Sequence, residues 1–185
     1  MITKFSDLLI RLANGRNLLV LFVLFILTTS VIFPLMSSLI ESPVEDLESI
    51  DTKFYYTPEE FYEIIEPYGD QGRRVYALSH LTADVLFPLV YAFLFALLIA
   101  FIFQRAFPKD SWVQRLNLIP FALLIFDLIE NLGVVILLLG YPILMVGLAS
   151  FTGVITSLKW ILAGITVVLP FYGGIVWVYN RLTRS

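Results

Sequence analysis

The sequence predicts an all-α integral membrane protein: a four-helix transmembrane bundle, both termini on the inner side, with a helical extracytoplasmic segment between spans 1 and 2. Composition is the first observation behind this. Of the 185 residues, 59% are hydrophobic and only 15% are charged, with a mean hydropathy of +0.88, where soluble domains carry roughly a quarter charged residues. Length is the second. Apolar runs recur at Leu18–Ile40, Val85–Phe103, Leu116–Leu139 and Ile161–Val178, each long enough to cross about 30 Å of hydrocarbon at about 1.5 Å per residue. The third is the placement of charge. Lys4, Arg11 and Arg16 precede the first run, Arg105, Lys109 and Arg115 separate the second from the third, and Arg181 and Arg184 follow the fourth. Basic flanks mark the cytoplasmic side. Segment 41–83 is then outside, with ten acids against three bases, a net of −7. The whole chain reads as a single membrane domain of the plasma (inner) membrane.

Each element has a local reason. Residues 1–16 carry Phe5, Leu8, Leu9 and Leu12 at helical spacing opposite Lys4 and Arg11, and Asn14-Gly15 ends the run, which suits a helix lying in the inner interface. Span 1, residues 18–40, is too long in its apolar core for a leader and lacks an A-x-A-like cleavage site, so it reads as retained. Pro34 should kink its outer part. In the outer segment 41–83, Thr57-Pro58-Glu59-Glu60 is a helix start with a capping hydroxyl, proline at the first helical position and glutamate three residues after the cap. The short helix it opens carries Phe61, Ile64 and Ile65 on one side, fit to lie as a lid on the outer end of the bundle.

Asp70-Gln71-Gly72 can cap a further helix that continues as span 2, residues 84–104. Span 3 covers 116–139. The remaining apolar stretch, Ile143–Val178, is 36 residues, too long for one crossing. The interface pair Lys159-Trp160 divides it into an outer interfacial or re-entrant piece at 143–157, loosened by Gly147 and Gly153, and span 4 at 160–179. Two full spans joined by a turn at Ser157–Lys159 are the alternative.

Composition also excludes chemistries. With no cysteine there is no disulfide, thiol catalysis, iron–sulfur cluster or thioether-linked haem. His80 is the single histidine, which rules out a haem held by two histidines. No basic nucleic-acid patch, nucleophile elbow, phosphate-binding glycine loop or zinc-protease motif is present. Chemistry must come from polar groups scattered along the spans.

The strongest of these is Asp127-Leu-Ile-Glu130-Asn131 inside span 3. Its three polar residues sit at i, i+3 and i+4, one helix face, so they look into one space. An ionisable residue at hydrocarbon depth is a functional-site hypothesis by default, because a charge there is unfavourable by at least a few kcal/mol unless paired or wetted. A second constellation lies on the helix leading into span 2. Arg73, His80, Asp84 and Tyr91 fall within about 20° of one line at about 100° per residue, with Tyr76 to one side. Counting from Leu116, Glu130 lies about 21 Å into the core, level with Tyr91 on the descending helix. The expected ligand or ion pocket is therefore Asp127, Glu130 and Asn131 at the floor, Tyr91 at their level, and Asp84, His80, Arg73 and Arg74 toward an outer mouth. Ordinary structural roles compete at each position. Interhelical polar contacts act as glue in membranes, one acid can be tied to Lys159 or Arg73, and Lys159 itself suits an interface anchor.

Three function classes follow. In the first, the pocket binds or transports a cation, a proton or an amine-bearing or lipid ligand, since carboxylates can be neutral when empty and charged when occupied. In the second, an intramembrane enzyme acts on a lipid or lipid-linked phosphate. Asp84, Asp127 and Glu130, with His80, would hold a divalent metal ion or work as acid and base, while Arg73 and Arg74 hold the phosphate. In the third, the chain is an accessory subunit of a larger membrane complex. A transporter this thin would need a homodimer, for which Ala149 and Gly153 offer a close-packing pair. The lipid bilayer is a partner in every case, and nucleic acid in none.

Overall fold

The computed structural model describes residues 2–32, 34–35, 38 and 48–183. It is 88% helix, with no strand among the described residues. Glu41, Glu45 and Asp46 of the acidic segment, Arg184 and the end of span 1 lie outside the described residues. The α-helices are α1 (Ile2–Leu12), α2 (Gly15–Leu27), α3 (Pro58–Ile65), α4 (Gly69–Leu81), α5 (Ala83–Ala106), α6 (Ile119–Gly140) and α7 (Val146–Thr183). Four helical stretches are long and apolar enough to cross a membrane: Gly15–Ile32, Pro58–Ala106, Trp112–Gly140 and Val146–Thr183.

Contacts gather the chain into two compact units. One comprises Met1–Phe25, Leu89–Leu124 and Ile161–Ser185, and the other comprises Ile26–Pro88 and Ile125–Trp160. In the first, α1 is held by its own polar stitches. The Ser6 hydroxyl donates to Asn117 Oδ1 at 2.8 Å, and Asn117 Nδ2 donates back to the Ser6 carbonyl at 3.2 Å. Leu9 is fully buried among Ala96 and Leu97, while Phe5, Leu8 and Leu12 stay exposed, the amphipathic pattern read from the sequence. Tyr91 and Thr166 also belong to this unit, both buried.

The second unit is built on the outer segment and the adjoining parts of α6 and α7. Thr57 caps α3 as a reciprocal box: its hydroxyl accepts from the Glu60 N–H at 3.2 Å, and the Glu60 carboxylate accepts from the Thr57 N–H at 2.8 Å. That start aims Phe61 and Ile65 into a core with Ile50, Tyr56, Tyr68, Tyr76, Val134, Leu137 and Ala149. Helix α4 begins at Gly69, not at a cap formed by Asp70. Gly69 turns the chain at φ 63°, a left-handed conformation that suits glycine, and Asp70 instead pairs with Arg73.

Two further expectations are revised, and a third feature is added. The helix expected to run unbroken from 70 to 104 is interrupted at Thr82, at φ −122° and ψ −80°. Its hydroxyl donates to the Leu78 carbonyl at 2.7 Å, the local back-bonding that lets a threonine tolerate a helix break. The apolar stretch expected to divide near Lys159-Trp160 is one continuous helix, α7, of 38 residues. Lys159 need not end it, because its ammonium is received inside the fold. Ahead of Pro34, α2 widens into a π turn at Thr28–Ile32, the accommodation that accompanies a proline in a helix.

The close-packing pair offered for a dimer is used within the chain. Ala149 is fully buried, and a Cβ at Gly153 would collide with the Tyr56 carbonyl oxygen. Glycine is required there by close approach of backbone to backbone.

Candidate functional site

The groups of the candidate site are in the second unit: Asp51, His80, Asp84, Asp127, Glu130, Asn131, Thr156 and Lys159, with Ser49 and Tyr76 behind Asp51. They form two centres joined by one face of α6.

The first centre is made around Lys159. Glu130, fully buried, forms an ion pair with the Lys159 ammonium, and its other oxygen accepts from the Thr156 hydroxyl at 2.6 Å. Thr156 and Lys159 are neighbours on one face of α7 at i and i+3. Asp127, one turn before Glu130 on α6, lies 3.9 Å from the same ammonium. Two carboxylates thus converge on one lysine. The Lys159 side chain is 10% exposed, so it serves the interior and not an interface.

The second centre is made around His80, and a proline eight residues after it explains its geometry. Pro88 lies inside α5 and has no N–H to give to the carbonyl four residues earlier, that of Asp84. Asn131 supplies the missing donor: its Nδ2 donates to the Asp84 carbonyl at 2.6 Å. That bond assigns the Asn131 amide, so its oxygen faces His80 Nδ1 at 3.1 Å. An amide oxygen only accepts, so Nδ1 carries the hydrogen. Asp84 Oδ2 stands 3.3 Å from the same nitrogen. In the neutral ring Nε2 is then a bare lone pair. Nε2 is buried and makes no hydrogen bond among the described residues, and the nearest charged atom is Asp51 Oδ2 at 3.9 Å.

Asp51 comes from the outer segment, on a single 3₁₀ turn at Ile50–Thr52 anchored by the fully buried Ile50. Its Oδ2 accepts from the Tyr76 hydroxyl at 2.9 Å and from Ser49 at 3.2 Å. Burial pushes the Asp51 carboxyl up, but the nearby His80 and Lys159, with the bonds from Tyr76 and Ser49, outweigh it and hold the group below the ordinary range. Tyr76 also packs against the His80 ring, with centroids 4.7 Å apart.

Of the residues read from the sequence, the fold brings Asp84, His80, Asn131, Asp127 and Glu130 into these two centres. It does not bring them to one shared ion. Among the described residues, the acids and histidine whose ligand atoms lie within 4.8 Å of one another are Asp51, His80 and Asp84. Asp127 and Glu130 attend Lys159 instead. Arg73, expected at a pocket mouth, is buried and engaged: it pairs with Asp70, donates to the Ile65 and Glu66 carbonyls at 3.4 and 3.3 Å, and lies 4.2 Å over the Tyr141 ring. Arg74 is exposed, and Tyr91 belongs to the other unit.

Sequence reasoning missed Asp51 and Lys159 as site members. Lys159 left a signal, since it is the one cation within the long apolar stretch and two acids at depth require a counter-charge. Asp51 left none beyond the alternation Ser49-Ile50-Asp51, because its place is set by where Ile50 buries. Compared with known proteins, the chain matches no protein-family model, no curated protein and no solved structure.

Proposed function

We propose that the chain is a polytopic membrane protein whose buried carboxylate cluster binds a cation and serves cation binding or transport. The observation that carries this is the His80 centre. Asp51 and Asp84 approach within 4.8 Å of each other and of a ring nitrogen, and His80 is the only group of opposite charge within ion-pair distance of either among the described residues. Like charges at that separation disfavour each other strongly away from bulk water unless a positive charge joins them. The chain supplies its own cation to Asp127 and Glu130, in Lys159, and among the described residues brings only His80 within ion-pair distance here. A proton, a metal ion or an amine meets that requirement.

In this reading the chain resides in the plasma membrane with both termini inside. The basic flanks at Lys4, Arg11 and Arg16, at Arg105, Lys109 and Arg115, and at Arg181 support that orientation. The cluster then opens outward, because Asp51, Tyr76 and His80 all come from the segment preceding span 2. The test is a thermal-shift series on the purified full chain in detergent, across pH, alkali and divalent cations and small amines. Stabilisation by a cation that is lost in Asp51→Asn supports the reading. A wild-type protein indifferent to every cation would reduce the cluster to structural glue.

A second reading has one observation in its favour. A histidine whose Nδ1–H is held by Asn131, with Asp84 nearby and Nε2 without a hydrogen-bond partner, is the arrangement of a general base. The lipid-phosphate enzyme built on it lacks its clamp, since the Arg73 guanidinium is engaged by Asp70, two carbonyls and Tyr141. Release of phosphate from a lipid phosphate by wild-type protein, absent in His80→Gln, would favour it over cation binding.

A further inference from the structure

We infer that the cation of the His80 centre is a divalent first-row transition ion, held by His80 Nε2 and the carboxylates of Asp51 and Asp84, with Asn131 and Tyr76 orienting these ligands. This rests on the cation-binding reading above and names the ligand of the same site.

Two independent features point to a metal. The first is the donor set: one imidazole nitrogen and two carboxylate oxygens, with ligand atoms mutually within 4.8 Å. Two bonds of about 2.1 Å at the tetrahedral angle place their ligand atoms about 3.4 Å apart. The 3.9 Å from Nε2 to Asp51 Oδ2 thus needs a contraction of only a few tenths of an ångström per ligand.

The second is the orphaned nitrogen. His80 is fully buried and its Nε2 has no hydrogen-bond partner among the described residues. A buried polar atom left unsatisfied is unfavourable by about 1–3 kcal/mol, so its persistence calls for a partner. The hydrogen on Nδ1 leaves the lone pair on Nε2, which lies 3.9 Å from Asp51 Oδ2. A proton on Nε2 would also satisfy it, setting an imidazolium between Asp84 and Asp51, and metal retention separates the two.

The surrounding groups have the form of an outer coordination shell. Metal-bound histidines characteristically give their other ring N–H to a carboxylate or carbonyl, which sets the tautomer and raises basicity. Here that role falls to the Asn131 amide oxygen. Tyr76 and Ser49 orient Asp51. Imidazole with carboxylate favours zinc, manganese or iron over calcium or the alkali ions, and the absence of cysteine removes the thiolate that would select copper(I). Asp127 and Glu130 stay outside the set, because Lys159 already holds them.

The experiment uses the full chain in detergent, stripped with chelator and loaded with Zn²⁺, Mn²⁺ or Co²⁺ alone. One equivalent should remain after desalting. Asp51→Asn and His80→Gln should each weaken binding at least 10–100-fold, while Glu63→Gln, an exposed acid on α3, should leave it unchanged. If His80→Gln does not fold, the Co²⁺ spectrum of the wild type decides. Visible d–d bands of nitrogen and oxygen ligation, without a sulfur charge-transfer band and displaced by Zn²⁺, support the site. Retention of no transition ion, or undiminished binding in Asp51→Asn, overturns it. Stabilisation by protons, alkali ions or amines with no transition ion retained overturns the metal and leaves the cation-binding reading standing. Indifference to every cation overturns both.

Discussion

The Lys159 centre and the His80 centre share one face of α6, one turn apart, and each gathers two carboxylates. At the first, the balancing charge is part of the chain: Lys159 pairs with Glu130 and lies 3.9 Å from Asp127. At the second, Asp51 and Asp84 face a histidine whose inner nitrogen is already engaged and whose outer nitrogen is not. Buried ion pairs closed within the chain hold helices in register. A buried site that gathers two carboxyl groups beside a ring nitrogen without a hydrogen-bond partner has room for one from outside. In the proposed reading the contrast assigns structure to one centre and binding to the other, although either half of Asp127-Leu-Ile-Glu130-Asn131 would read alike in isolation.

The comparison breaks most easily at Lys159. Replacing it by methionine leaves Glu130 buried without its partner, and a buried pair broken on one side loses about 3–5 kcal/mol. Unfolding of Lys159→Met in detergent should show that loss, and the double variant with Glu130→Gln should recover much of it, since the two act as one unit. Cation-induced stabilisation should survive wherever the fold does. A Lys159 variant that folded well and lost only cation response would merge the two centres into one.

Next in size is the His80 centre itself. At a cation concentration 100-fold above its dissociation constant, the wild type should gain about 2.7 kcal/mol. Asp84→Asn should lose that gain while the cation-free protein unfolds no more readily than wild type, because removing one of two like charges relieves repulsion. A cation-free Asp84→Asn protein destabilised as strongly as Lys159→Met would make both centres structural.

Asn131 links the two and should give a mixed result. Asn131→Leu removes the donor to the Asp84 carbonyl and the acceptor at His80. We expect about 1–3 kcal/mol of destabilisation and roughly 10–100-fold weaker cation binding, read by calorimetry. Pro88→Ala refines this, since it restores the N–H that competes with Asn131 for the Asp84 carbonyl, and should weaken binding less than Asn131→Leu does. The smallest effect belongs to Thr156→Val. It deletes one hydrogen bond to Glu130, about 1 kcal/mol of stability, and should leave cation affinity unchanged.

Much of this molecule was legible in its sequence because membrane solvent imposes simple demands. Four apolar stretches, the Thr57 capping box and the amphipathic α1 all follow from local spacing, and the structure carries each of them. The alignment of His80 with Asp84 also followed from helical periodicity and survives the break at Thr82, with 3.3 Å between them. The expected division at Lys159-Trp160 failed for an instructive reason. A lysine in an apolar run looks like a boundary when its partner is unknown, and like an interior residue of one helix once Glu130 receives it.

By itself, the sequence determined that the chain is helical and apolar enough to cross a membrane, that its buried acids lie on one helix face, and that cysteine and multi-histidine chemistry are absent. Composition and period suffice for such conclusions, because burial in hydrocarbon and helical geometry act on each segment alone. Tertiary structure alone decided which cation meets which acid. Lys159 reaches Glu130 across 29 positions of sequence, and Asp51 reaches His80 across the same number. Coulomb attraction depends on distance in space, to which sequence spacing beyond a few turns of helix is blind.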